Sequence, residues 1–279
     1  MAISRSTTIF FFLACVALLT LGIVRVTLGI GDFGTSTTTT PRLNRTAAIR
    51  YPSGIPFKFD PDGRAQLFRG NTIISRLSNE SALYQSLVVL QEKLKRSHNL
   101  SRLIAHLPPS SWHMTVFEGV VGIERGKPGY WPSDLSTDAT LDECTALFRT
   151  KLSTFDLQLS LPQHISVAGF TSTGLGLRLE HKDDKDLRRL RDRLADLLRI
   201  RHPKDHESYQ LHLSLGYILR FFTADQKAEL DKIVWDHVRD AAMPMTFELG
   251  APEFCAFENM LAYEPLLQLK NITSTGESG

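Results

Sequence analysis

The sequence predicts an α+β fold in which two pseudo-symmetric lobes with antiparallel-rich sheets line a central cleft and helices lie outside. Three observations lead to this class. The order strand, helix, short strand occurs twice, each short strand begins with a histidine-x-hydroxyl tripeptide, and no long linker interrupts the chain between Ile49 and Leu269. Such an internal duplication predicts two lobes that bring the two short strands face to face.

The first repeat begins with a strand predicted at Gly70–Leu77 (GNTIISRL). Glu80–Ser97 follows, where leucines recur at helical spacing, and the short strand HMTVFEGV starts at His113. A further helix at Thr140–Leu152 and apolar strand material around Phe155–Phe170 come next. We expect these last strands to close the first lobe.

The second repeat has the same order. Gly174–Glu180 (GLGLRLE) alternates as a strand does, Asp184–Arg199 places its leucines on one helical face, and HLSLGYIL starts at His212. A helix at Thr223–Asp240 and strand material around Phe247–Leu269 follow. The interval from the first glycine of the repeat to the motif histidine is 43 residues in the first repeat and 38 in the second.

The N-terminal segment contains an uncharged, mostly apolar run, Thr7–Val24. Its length lies between a signal-peptide core of ~7–15 residues and a membrane span of ~20 residues. A cleaved signal and a retained anchor both remain open, and the length favours the anchor, with the membrane as a partner. The predicted organisation is a signal-anchor or transmembrane segment at 1–34, a Thr-rich linker at 35–48, a two-lobed domain at 49–270 and a flexible tail at 271–279.

Sequons for N-glycosylation contain four of the six asparagines, namely Asn44, Asn79, Asn99 and Asn271. This pattern predicts a glycoprotein, membrane-anchored or secreted, whose folded domain lies on the lumenal or extracellular side. Outside the apolar run the cysteines are Cys144 and Cys255. They can form one disulfide in an oxidising compartment or remain two buried thiols, and the sequence leaves both open.

Composition excludes some function classes. The 32 basic and 30 acidic residues leave a formal net charge of +2, which provides no general field for packaging nucleic acid. No C-x-x-C pair occurs, which argues against a structural zinc site or a thioredoxin-like centre. His202 and His206 have a spacing seen in zinc sites but no third ligand near in sequence, so we interpret them as part of a solvated loop.

The two tripeptides place an imidazole and a hydroxyl on the same side of each strand. Residues two apart in a strand face the same way, so His113 projects with Thr115, and His212 with Ser214. Cleavage of a phosphodiester needs a base for the attacking hydroxyl or water and an acid for the leaving oxygen, and imidazole serves both roles near neutral pH. Hydroxyls can donate to the non-bridging oxygens, where negative charge builds up. This set needs no metal ion.

The paired motifs, HMTV from His113 and HLSL from His212, resemble those of the two-histidine (2H, LigT-like) phosphoesterase superfamily. The resemblance covers roughly Gly70–Leu269, and GNTII, HMTVFEG and Gly129–Pro132 (GYWP) look closer to an uncharacterised branch. It implies a metal-independent 2',3'-cyclic phosphodiesterase-like hydrolase that acts on a nucleotide or RNA-end phosphodiester without a cofactor. By resemblance, the catalytic residues are His113, Thr115, His212 and Ser214. We expect a monomer.

Four further residues are candidates for substrate binding: Asn71, Tyr130, Trp131 and Tyr217. Each can stack on or hydrogen-bond a base or ribose, and core packing explains each of them equally well. The basic residues of the second-lobe helix, Arg188, Arg189, Arg191 and Arg193, are interpreted as a solvated face interleaved with aspartates.

His164 begins a third match, HISV, but has no strand-helix unit before it and is interpreted as non-catalytic. Two alternatives to hydrolysis remain open. A catalytically degenerate nucleotide- or phosphate-binding module needs only the cleft, and RNA-end ligation uses the same residues.

Overall fold

The computed structural model describes residues 50–203, 206–240 and 243–272, and all of them lie in one compact unit. The apolar run, the Thr-rich linker and the sequon at Asn44 lie outside the described residues, as does most of the predicted tail. Among the described helices, none combines the length and the apolar character needed to cross a membrane. Membrane attachment and the lumenal location stay predictions.

The described residues form four α-helices, two four-stranded antiparallel sheets and a two-stranded ribbon. The helices are α1 (Ala82–Arg96), α2 (Leu141–Leu152), α3 (Asp184–Leu198) and α4 (Ala224–Asp240). The strands are β1 (Gly70–Arg76), β2 (Ile104–His106), β3 (His113–Val121), β4 (Gln163–Phe170), β5 (Gly176–His181), β6 (His212–Ser214), β7 (Gly216–Ile218), β8 (Thr246–Leu249), β9 (Glu253–Asn259) and β10 (Ala262–Gln268). The predicted α+β class is confirmed.

The two motif strands occupy equivalent places in the two sheets. The first sheet has the order β10-β9-β1-β3 and the second β6-β5-β4-β8. In the described part of the chain, β3 and β6 are therefore both edge strands, and they contact each other. Each pairs antiparallel with the first strand of its own repeat, β1 and β5 respectively.

The prediction that each repeat closes its own lobe is wrong in detail. Strand β4, expected in the first lobe, pairs with β5 and β8 of the second sheet, for example Ile165 with His181. Strand β9, from the end of the second repeat, pairs with β1 of the first sheet, for example Gly70 with Phe257. Each sheet thus contains strands from both repeats, and neither repeat completes a sheet alone.

The ribbon of β2 and β7 connects the repeats beside the motif strands. Ala105 pairs with Tyr217. Just outside the ribbon, the Leu107 N–H donates to the Leu215 carbonyl at 3.0 Å. Leu215 directly follows Ser214, so backbone hydrogen bonds from the first repeat hold the chain next to the second motif.

Alternation along the motif strands follows the prediction. Met114, Val116 and Leu213 are fully buried, and Leu215 is 2% exposed. The motif residues between them face the opposite side and remain partly accessible. Burial of the apolar set fixes the register of each strand, because a slip by one residue would expose it.

Gly119 on β3 lies against β1, so a side chain here should disrupt the first sheet. A Cβ atom at Gly119 would lie 2.2 Å from Asn71 Oδ1 and 2.3 Å from the Asn71 carbonyl oxygen. We expect Gly119→Ala to lower the free energy of unfolding by about 3 kcal/mol in urea denaturation. Gly250→Ala is the matched control, since nothing lies within 4 Å of a Cβ there. Equal losses in both variants would contradict the expectation.

Candidate active site

A cavity of about 410 Å³ lies beside the contact between the two motif strands. All four predicted catalytic residues line it: His113 and Thr115 from β3, His212 and Ser214 from β6. Two segments about a hundred residues apart in sequence therefore present both imidazoles and both hydroxyls to the same space. Their catalytic role stays a prediction.

Each imidazole is oriented by the backbone in the same way. Nδ1 of His113 lies 2.7 Å from the carbonyl oxygen of Ser111, and Nδ1 of His212 lies 3.0 Å from that of Gln210. A carbonyl only accepts, so Nδ1 carries the hydrogen in both rings. Nε2 is then the atom that gains or loses a proton, which is the arrangement an acid/base pair requires.

The surroundings of His113 disfavour its protonated form. Burial, the largest cause, together with the positive charges of Arg76 and Lys58 and the proximity of His212, lowers the pKa of His113 to about 4. The hydrogen bond to Ser111 opposes this shift. His113 is therefore neutral at neutral pH, and its Nε2 lone pair is free to accept a proton.

Lys58 brings a positive charge to the cavity, and sequence reasoning missed it. Its Nζ donates to the Tyr217 hydroxyl at 3.3 Å and lies 5.3 Å from the centre of the Phe68 ring. Lys58 and Phe68 also line the cavity. Both lie in the irregular chain before β1, where no periodicity marks functional residues.

Three of the four predicted substrate-binding residues line the cavity: Asn71, Tyr130 and Tyr217. The amide of Asn71 also has a structural role. Its Oδ1 accepts from the Val120 N–H at 3.0 Å and its Nδ2 donates to the Thr145 hydroxyl at 3.0 Å. Asn71 thereby connects β1 to β3 and α2.

Trp131 does not line the cavity, and its assignment to substrate binding requires correction. The side chain is buried, and its Nε1 donates to the Ser136 carbonyl at 3.1 Å. The Arg125 guanidinium lies over the ring at 5.2 Å. Trp131 therefore stabilises the loop after β3 by packing in its interior. The adjacent Tyr130 instead faces the cavity.

His202 belongs to the cavity, contrary to its interpretation as part of a solvated loop. Its ring lies 4.6 Å from that of Tyr130, and its Nε2 is 3.1 Å from the Gly119 carbonyl oxygen. The Glu118 carboxylate is 3.7 Å from its Nδ1. Glu118 faces the cavity because a register shift between β1 and β3 reverses the alternation beyond Thr115.

His206 is also not solvated. It is buried, and its Nε2 lies 2.9 Å from Asp192 Oδ1. Together with Glu207 these residues form a group of three potential metal ligands within the described chain. The Arg201 guanidinium already contacts both carboxylates, at 3.0 and 3.2 Å, and none of the three potential ligands lines the cavity.

The basic residues of α3 do not form a single solvated face. Arg188 and Arg189 are exposed and pair with aspartates of the same helix, as predicted. Arg191 is 5% exposed, and its Nη1 donates to the Val116 carbonyl of β3 at 2.7 Å. Arg193 donates to the carbonyl of Leu157 at 3.2 Å.

Cys144 and Cys255 are both free and buried. Burial raises the pKa of each thiol to about 12, so neither is a thiolate at neutral pH. Of the two alternatives that the sequence left open, the structure has the unpaired thiols.

Comparisons with known proteins give a matching family model and similar solved structures. Residues 58–176 match the model of a 2H-phosphodiesterase family described as a domain of unknown function, DUF1868. The crystal structure of a conserved protein of unknown function from Agrobacterium tumefaciens is 29% identical, covers 78% of this chain and 93% of its own, and has a TM-score of 0.68. A structure described as a phosphoesterase is 11% identical over 74% of this chain and 100% of its own, with a TM-score of 0.41. No curated protein matches the chain.

Proposed function

We propose, from the chain's membership of the two-histidine phosphoesterase superfamily, that it hydrolyses phosphodiesters, with 2',3'-cyclic nucleotides or RNA ends as substrates. The match covers residues 58–176, which include the first motif. The observation that carries the proposal is one cavity lined by two imidazoles, each with a hydroxyl two residues along the same strand. The reaction needs this set: a base, an acid and donors for the phosphate.

The environment of His113 favours this residue as the base. A neutral imidazole accepts the proton of the attacking water at Nε2, and His212 donates its proton to the departing ribose oxygen. Thr115 and Ser214 donate hydrogen bonds to the non-bridging oxygens of the phosphate. After one turnover His113 holds a proton from the attacking water and His212 has lost one to the ribose oxygen, and proton exchange with solvent restores both.

Lys58 supplies charge complementarity. Its ammonium group lies at the cavity wall next to Tyr217, where it can offset the negative charge of a bound phosphodiester. The same charge helps to keep His113 neutral. One residue thus favours both substrate binding and the protonation state of the base.

The pH profile tests the assignment of the base. Protonation inactivates a general base, so kcat/KM should fall tenfold per pH unit below the pKa of His113 and be half-maximal near pH 4. Lys58→Met removes a charge that lowers this pKa, so we expect its acidic limb at higher pH. Activity recovered on return to pH 7 controls for unfolding. An acidic limb near the ordinary histidine pKa of ~6.5 in the wild type would contradict the assignment.

Substrate panels test the activity itself. The protein is assayed with the four 2',3'-cyclic nucleotides and with short RNAs that end in a cyclic phosphate, with and without EDTA. We expect turnover of at least one substrate at the same rate in both conditions. Turnover abolished by EDTA would contradict the metal-independent mechanism, and tight binding of all substrates without turnover would instead indicate a binding module.

A further inference from the structure

Tyr209 lies in the cavity although it belongs to neither motif. It precedes His212 by three residues, and its ring centre is 5.9 Å from that of His212. The side chain lines the same cavity as Thr115 and Ser214. Its hydroxyl interacts with that of Thr115 on the opposite strand. Tyr209 thus touches the first motif and neighbours the second.

The Arg191 guanidinium packs on the face of the Tyr209 ring. It lies 4.2 Å from the ring centre, and the same guanidinium donates to the Val116 carbonyl next to Thr115. Arg191 is almost completely buried, so water does not screen this cation–π contact. A single side chain of α3 therefore contacts both the Tyr209 ring and the motif strand β3.

The Tyr209 hydroxyl remains a hydrogen-bond donor at physiological pH. Burial, with a smaller contribution from the Glu118 carboxylate, raises its pKa above the ordinary value. The Thr115 hydroxyl and the Arg191 charge lower the pKa but do not reverse the shift, so the Tyr209 hydroxyl stays neutral. A neutral, fixed donor inside a cavity suits an oxygen that gains negative charge during a reaction.

We propose that the Tyr209 hydroxyl is a third hydrogen-bond donor to the phosphate, beside those of Thr115 and Ser214. This inference rests on the proposed function, because it assigns Tyr209 to the same phosphate. The donor acts on a non-bridging oxygen on the side of Thr115, and Arg191 acts as the positioning residue that holds it there. No bond to phosphorus is made or broken by Tyr209.

Tyr209→Phe removes the hydroxyl and keeps both the ring and its stack on Arg191. We expect kcat/KM to fall by about 100-fold, through a lower kcat and a KM raised by up to about tenfold, as for the loss of one donor to the phosphate. Tyr84→Phe is the matched control. Tyr84 packs its ring on Trp112 and does not line the cavity, so kcat should be unchanged.

Affinity for inorganic phosphate, measured by calorimetry, separates this inference from the proposed function. We expect Tyr209→Phe to bind phosphate about tenfold more weakly than the wild type, which corresponds to one hydrogen bond to a charged acceptor. If the wild type binds phosphate but hydrolyses no phosphodiester, the proposed function is wrong. A tenfold loss of phosphate affinity in Tyr209→Phe would still support Tyr209 as a donor to the phosphate. If Tyr209→Phe matches the wild type in kcat and in phosphate affinity, the inference is overturned. If the wild type neither binds phosphate nor hydrolyses a substrate, both are overturned.

Discussion

Replacing either His113 or His212 by alanine lowers kcat/KM for phosphodiester hydrolysis by about 100- to 10,000-fold, the loss expected for a general acid or base. Each replacement removes one of the two proton-transfer groups that line the cavity. The hydroxyls of Thr115 and Ser214 remain, so substrate binding should weaken much less than turnover. Steady-state kinetics on the first substrate found to turn over measures both quantities.

His164→Ala is the matched control for these variants. His164 begins a tripeptide of the same pattern, but it lies on β4, is half exposed and contacts Glu248 at 3.2 Å. It does not line the cavity. We expect kcat/KM of this variant to stay within about twofold of the wild type, an energy difference below 0.5 kcal/mol. A loss in His164→Ala equal to that in His113→Ala would show that histidine removal acts through general damage.

Trp112→Ala should lower the free energy of unfolding by about 3–5 kcal/mol, the cost of truncating a large buried aromatic residue. Trp112 is 1% exposed, its ring lies 5.3 Å from that of Tyr84, and it directly precedes His113. Its removal leaves a void at the start of β3 and loosens the first motif. Urea denaturation measures the stability, and the activity assay follows the effect on the motif.

Trp112→Phe distinguishes packing from hydrogen bonding. Among the described residues, the Trp112 Nε1 has no hydrogen-bond partner. Phenylalanine therefore reduces the side-chain volume without removing a hydrogen bond. We expect a loss of about 1–2 kcal/mol, well below that of the alanine variant. If Trp112→Ala cost less than 1 kcal/mol, the residue would not be the anchor that its burial indicates.

Short sequence patterns predicted the helices, the strands and the motif residues, because the spacing of buried side chains is set by the geometry of each element. The leucine spacing of α1 reflects the face that it buries, with Leu83, Leu87 and Leu90 at most 1% exposed. Alternation around His113 and His212 predicted which side chains leave the core. These periodicities arise from backbone geometry and are visible within ten to twenty residues of sequence.

The pairing of strands was not predictable in the same way. The strands β4, β9 and β10 have ordinary apolar patterns, which identify a strand but not its neighbour. The exchange of strands between the repeats depends on long-range packing. Trp131 and Tyr130 show a similar limit, since adjacent residues of an irregular loop face opposite ways and no period applies to them.

One missed residue did have a signal in the sequence. Arg191 lies four residues after Leu187 and three before Leu194, which places it on the buried face of α3 and not on the solvated one. A charged residue on an apolar helix face needs a polar partner in the interior, and the Val116 carbonyl fulfils this need. Lys58 and His202 lie outside the regular elements and had no such signal.

In the proposed mechanism His113 and His212 act together on one phosphorus atom, and a double-mutant cycle measures this coupling. The single variants and His113→Ala/His212→Ala are compared in kcat with the same substrate. Groups that serve one transition state are strongly non-additive, so we expect the double variant to be no more than about tenfold slower than the slower single variant. Losses that multiply, so that the double variant shows the full product of the single effects, would mean that the histidines act independently and would contradict the mechanism.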